Sequence, residues 1–153
     1  MTAAAAYTPV AWLLVAAGSA VGGALRYWIS GRFSAGPGER FPLGTLVVNV
    51  SGCLLAGLVL ALLHAAPAGS WAHDWLHNGL AFGLVGVLGS YTTVSSFSLQ
   101  TLQLIDDGNW RGGLLNIVLS FSGCLGAVGV GYWIGMGIGI GIGLGTGLRG
   151  GPG

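Results

Sequence analysis

The residues of this chain best equipped for chemistry are uncharged hydrogen-bond donors set inside apolar stretches. From Gly89 to Phe97 the order is Gly-Ser-Tyr-Thr-Thr-Val-Ser-Ser-Phe; six of the nine residues carry a hydroxyl and none carries a charge. Asn49 lies midway along another apolar stretch, near Ser51, with Thr45 and Cys53 four residues to either side on the same helical face. Asn116, Ser120 and Cys124 repeat that spacing. Hydrocarbon does not tolerate bare backbone or loose hydroxyls, so such groups must be buried in protein or line a cavity. Amides and hydroxyls donate to an anion without gripping it as an ammonium would, the compromise that conduction requires. A phenylalanine ring has an electropositive edge, so Phe97 can face an anion, although packing is the ordinary role of a single ring. The competing reading makes these groups glue between helices, at about 0.6 kcal/mol per bond. Pore lining is the reading adopted for Asn49; for Ser51 and Ser120 both readings stand.

What is missing narrows the function further. The charged residues are Arg26, Arg32, Glu39, Arg40, Asp74, Asp106, Asp107, Arg111 and Arg149, and no acidic one falls inside an apolar stretch. Proton-coupled carriers need an intramembrane carboxylate or histidine, and His64, His73 and His77 gather at the edges of one separator. This opposes a small cation/drug–proton antiporter, the main alternative. There is no nucleophile–base pair or metal cluster to support an enzyme. The net charge of +1 opposes nucleic acid as a partner. Cys53 and Cys124, mid-stretch and without a nearby histidine, read as packing residues. A non-transporting assembly factor, with the polar stripes as glue, is a third reading.

The elements that position these groups follow from composition. Of 153 residues 53% are hydrophobic and 6% charged, against about a quarter charged in soluble domains. An integral membrane protein is expected. A spanning helix needs roughly 20 apolar residues, and four stretches qualify: 9–30, 42–64, 75–105 and 112–134. Glycine, proline and charge between them supply turn chemistry. The third is long for one straight crossing, which fits a helix broken at Gly89–Thr93. All six tryptophans fall near span ends, where an indole prefers to sit. Small residues recur every four positions at Gly18/Gly22, Gly79/Gly83 and Gly123-Ala127-Gly131-Gly135, allowing close helix packing and predicting an oligomer, most simply a dimer. Residues 135–153 alternate glycine with apolar residues and read as a low-complexity tail, frayed helix and then disorder, distinct from the unit 1–134. The apolar N-terminal run lacks a basic leader, so no cleaved signal peptide is expected. The arginines favour termini outside, weakly. Arg26 near the end of the first stretch has two readings, drawing anions into a vestibule or snorkelling and capping at a helix end.

Three blocks in order, GGALRYW (Gly22–Trp28), FPLGTLVVNVSG (Phe41–Gly52) and GSYTTVSSF (Gly89–Phe97), resemble the Fluc (CrcB) family of small fluoride channels. The resemblance implies an all-α membrane protein with four transmembrane helices per subunit, the third broken, in an antiparallel (dual-topology) dimer with two fluoride pores at its interface. The second subunit would be an inverted copy or an oppositely oriented paralogue. Asn49 matches the pore asparagine and Phe97 the second phenylalanine of the TTFSTF segment. Val94 replaces the first, leaving the aromatic pair incomplete, while Ser95 and Ser96 keep the hydroxyl character; Thr93, Val94 and Ser96 are expected along the pore. Asn116 and Ser120 occupy the polar stripe expected on the fourth helix. Gly89 and Thr92 match positions whose backbone carbonyls hold a structural sodium ion at the dimer centre, and Arg26 matches an architectural arginine. The implied function is passive, fluoride-selective export across the cytoplasmic membrane of a prokaryotic cell, without catalysis.

Overall fold

The computed structural model describes residues 9–33, 41–65 and 79–141. The second separator, the start of the third stretch at Trp75–Asn78, Arg40, Arg149 and the tail beyond Gly141 lie outside the described residues. The described residues are mostly helical, with no strand among them. Helix α1 runs Pro9–Phe33 and α2 Leu43–Ala65. Then come α3, Leu80–Leu88, with wider π-type turns, the single turn α4, Gly89–Tyr91, and α5, Val94–Asp106. Helix α6 is Trp110–Gly141.

The ends have local causes. Between α5 and α6 the chain turns through Gly108, the only described residue with positive φ (79°). The Gly108 and Asn109 N–H groups there satisfy the Ile105 and Leu104 carbonyls, each at 2.9 Å. Asn109 then caps α6, its Oδ1 accepting from the Gly112 N–H at 3.0 Å.

Four segments are long and apolar enough to cross a membrane: Pro9–Phe33, Leu43–Ala65, Phe82–Asp106 and Trp110–Ile140. Their outward faces are greasy, with Leu13, Leu125 and Trp133 each at least 70% exposed. Such a surface suits lipid or another subunit, not water. Arg32 lies over the Trp28 ring at 4.9 Å and Arg111 over Trp110 at 5.5 Å, cation–π pairs at helix ends.

Glycine decides how the helices meet. A methyl group on Gly18 or Gly22 of α1 would strike the Phe82 or Val87 carbonyl of α3. On α6, added methyls at Gly131 and Gly135 would meet the Leu54 carbonyl and Ala61 Cβ of α2, and one on Gly57 the Val128 carbonyl. Contacts advance in the same sense along both helices, so α2 and α6 run parallel. Cys53 and Cys124, both free thiols, meet across this seam. The seam also explains why α6 continues past Ile134: a methyl on Gly139 would meet Ala65 Cβ, so packing against α2 offsets glycine's poor helix propensity. Gly79 and Gly83 have nothing opposite them. They line an open apolar groove of about 480 Å³ with Leu55, Val59 and Leu84.

Candidate functional site

The hydroxyl-rich segment meets α2 at its middle. Backbone leaves helical geometry at Thr92 (φ −76°, ψ 156°) and Thr93 (φ −150°, ψ 122°). Extended residues between helical turns strand peptide groups, and two side chains collect them. Asn49 answers Thr93 as another strand would: its Oδ1 accepts the Thr93 N–H at 2.8 Å, and its Nδ2 donates to the Thr93 carbonyl at 2.9 Å. Thr93 in turn caps α5, its Oγ1 accepting the Ser96 N–H at 3.2 Å. The Thr93 hydroxyl also reaches the Ser95 and Ser96 hydroxyls at 3.1 and 3.2 Å. Asn49 and Thr93 are each 8% exposed.

Local packing brings this junction together. Gly52 leaves room on α2 for Tyr91 and Thr92; a Cβ there would strike the Thr92 methyl and approach the Tyr91 ring at 3.2 Å. The Tyr91 hydroxyl pairs with Ser51 at 2.8 Å, while Ser51 donates to the Val47 carbonyl at 2.7 Å. Ser90 reaches across to the Ser19 carbonyl of α1 at 2.8 Å. The Thr92 hydroxyl donates back to Leu88 at 3.0 Å. Most polar groups of the segment thus hold protein to protein.

Beside the junction lies a polar cavity of about 260 Å³ between α1, α2 and α5. Arg26, Tyr27 and Ser30 line it from α1, Thr45 and Val48 from α2, and Thr93, Ser96 and Gln100 from α5. Gln100 Oε1 is buried without a hydrogen-bond partner. Burial of an unpaired polar atom is costly, so this oxygen marks a place where solvent or a ligand would be stabilised.

The remaining candidates divide. Asn116 and Ser120 of α6 are buried, at 2% and 7% exposure. The Asn116 amide donates to the Thr101 hydroxyl at 2.8 Å. The Phe97 ring stands edge-to-face with Phe121 of α6, centroids 6.2 Å apart and planes at 82°. Val94 points outward and is 77% exposed. Gly89 is helical (φ −64°, ψ −30°), its own N–H bonded back to Gly86 and Leu84. The junction therefore assembles Asn49, Thr93 and Ser96 with Arg26 nearby, whereas Asn116 belongs to a separate contact between α5 and α6. Gln100, Thr101, Tyr27 and Phe121 had not been singled out. Thr101 carried a signal, lying four residues beyond Phe97 on the same face.

Known proteins are similar to this chain over most of its length. The family described as "CrcB-like protein, Camphor Resistance (CrcB)" matches residues 13–132. A protein of Rhodospirillum rubrum named fluoride-specific ion channel FluC is 44% identical over 124 residues, 81% of this chain and 90% of that protein. Proteins of the same name from Paramagnetospirillum magneticum and Coxiella burnetii are 43% and 37% identical, covering 79% and 80% of this chain and 91% and 95% of theirs. With a match across all four apolar helices and relatives aligned over nearly their whole length, this multi-pass membrane chain belongs to the CrcB-like family.

Proposed function

We propose that this protein is a passive fluoride channel that exports the ion from the cytoplasm across the cell membrane. The observation that carries this reading is the junction at Thr93, where uncharged donors from α2 and α5 converge between helices fit to cross a membrane. Only one Asn49 amide hydrogen is used by the Thr93 carbonyl, so the second remains to donate to an anion. The Ser96 and Thr93 hydroxyls and the Phe97 ring edge continue the path. Val94 flanks it, and Asn116 and Ser120 lie along its α6 side. Arg26 in the polar cavity draws anions toward the entrance. Several weak donors replace the water shell without trapping the ion.

In this reading Phe82–Asp106 is one interrupted membrane crossing, and residues 9–134 form the conducting unit. The unpartnered apolar faces and the groove at Gly79 and Gly83 are covered by a second, oppositely oriented subunit, either a copy of this chain or a paralogue. A structural sodium ion fits the backbone chemistry. In a continuous helix the Gly89 carbonyl would accept from the Thr93 N–H and the Thr92 carbonyl from the Ser96 N–H. Here those N–H groups are bonded to Asn49 Oδ1 and Thr93 Oγ1 instead. The two carbonyls are thus left as oxygen ligands of the kind a hard cation prefers, and an ion there would neutralise stranded backbone at membrane depth.

Hydrogen fluoride crosses membranes as a neutral acid and ionises in the less acidic cytoplasm. The trapped anion then leaves down an inside-negative potential worth about 2.3 kcal/mol per 100 mV. No proton relay is needed, and no acidic residue lies within the helices between their ends. The test is fluoride release from vesicles containing the purified protein, with a potassium diffusion potential and no pH gradient. Release that follows the electrical potential supports the proposal. Release that requires a proton gradient would replace it with antiport.

A further inference from the structure

The channel reading gives Phe97 a place on the ion path, and the inference below rests on it. Nothing in that reading says what holds the ring there. The structure contains two independent holds, both ending on α6. The first is a chain of hydrogen bonds. Thr101 Oγ1 donates to the Phe97 carbonyl at 2.7 Å, and the Asn116 amide donates to Thr101 Oγ1 at 2.8 Å. A threonine hydroxyl has one hydrogen. Once it is given to Phe97, the oxygen can only accept, and Asn116 meets that need. Thr101 and Asn116 are 6% and 2% exposed, so neither bond competes with water and each polarises the next. A threonine bonded back one turn also tends to bend its helix, so locking its rotamer fixes the course of α5 beside Phe97. The second hold is the Phe121 ring, edge-to-face with Phe97, an orientation favoured by the ring quadrupoles.

We propose that α6 positions Phe97 through Thr101 at its backbone and Phe121 at its ring, making Thr101, Asn116 and Phe121 positioning residues for conduction. Asn116 then acts one step behind the path, through Thr101 and not on the ion. Val94 is too exposed to support the Phe97 ring, and Phe121 supplies the neighbouring aromatic from another helix.

The experiment is single-channel recording of fluoride current through the purified full chain in planar bilayers. It compares wild type with Thr101→Val, Thr101→Ser and Phe121→Leu. Valine keeps threonine's shape but leaves the Asn116 donor unpaired; serine keeps the hydroxyl. Unitary current should fall about tenfold or more for Thr101→Val, which removes both buried bonds made by that hydroxyl. It should fall severalfold for Phe121→Leu and stay near wild type for Thr101→Ser. A merely structural role would reduce the number of active channels and leave the current of each unchanged, and that result overturns the inference. Should Thr101→Val fail to assemble, Phe121→Leu decides alone, because it removes no hydrogen bond. Wild-type protein that passes no fluoride would remove the channel reading itself, an outcome distinct from variants that conduct normally.

Discussion

The seam between α2 and α6 and the junction between α2 and Thr93 lie on the same helix and are held by opposite means. In the seam, glycine brings backbones together: Gly57, Gly131 and Gly135 leave no space for a methyl group. At the junction, side chains do the holding, with Asn49 bonded to both backbone groups of Thr93. Lipid tails are as apolar as leucine, so burial alone gives membrane helices little reason to associate; packing and hydrogen bonds supply it. The seam is therefore sensitive to volume and indifferent to chemistry, and the junction the reverse. One helix serves as both a fixed wall and a support for irregular backbone.

Substitutions can break or sharpen that contrast. The largest effect is expected from Gly131→Val, which drives a branched side chain into the Leu54 carbonyl. It should lower stability by about 3 kcal/mol or more, read as loss of the monodisperse species in detergent. Tyr91→Phe changes no volume and removes the bond to Ser51. Thermal unfolding in detergent should show a cost of about 1 kcal/mol, with fluoride flux retained. Gly129 is the control for the seam, since nothing lies near it. Gly129→Ala should stabilise α6 by about 0.5–1 kcal/mol in the same assay, and a cost comparable to that at Gly131 would mean the glycine faces are wrongly assigned. Smallest is Val94→Phe: the site has room, and fluoride flux should be unchanged or higher. Complete loss of flux with intact assemblies would show that this segment is aligned wrongly with its relatives.

How much of this could be read from sequence follows from which interactions are local. Four apolar stretches are a matter of composition, and four long apolar helices are found. Asn49 stood out because an amide is conspicuous among aliphatic residues. Its pairing with Thr93 did not, because the two lie 44 positions apart and no spacing rule links two helices. Gly18/Gly22 and Gly79/Gly83 look alike in sequence, yet the first pair is pressed against α3 and the second faces an open groove. The four-residue repeat gives a smooth face without naming what covers it. Alternating glycine beyond Ile134 argued against regular helix on propensity, but Gly135 and Gly139 fall on the face that meets α2. Tertiary contact overrides propensity there. Thr101 and Asn116 are one bond apart in space and 15 residues apart in sequence; each carries a local clue, Asn116 in its stripe with Ser120 and Cys124 and Thr101 in its spacing from Phe97, but nothing local pairs them.

The central claim is that neutral donors organised by Asn49 let a halide pass through the bilayer. It is tested most directly by fluoride-electrode efflux from vesicles holding equal amounts of assembled wild-type protein and Asn49→Leu. Leucine has similar volume but satisfies neither Thr93 backbone group and offers no donor to the ion. Wild-type vesicles should empty rapidly, and the variant should slow by at least about a hundredfold, two buried bonds being lost together. Equal efflux from both would contradict the account.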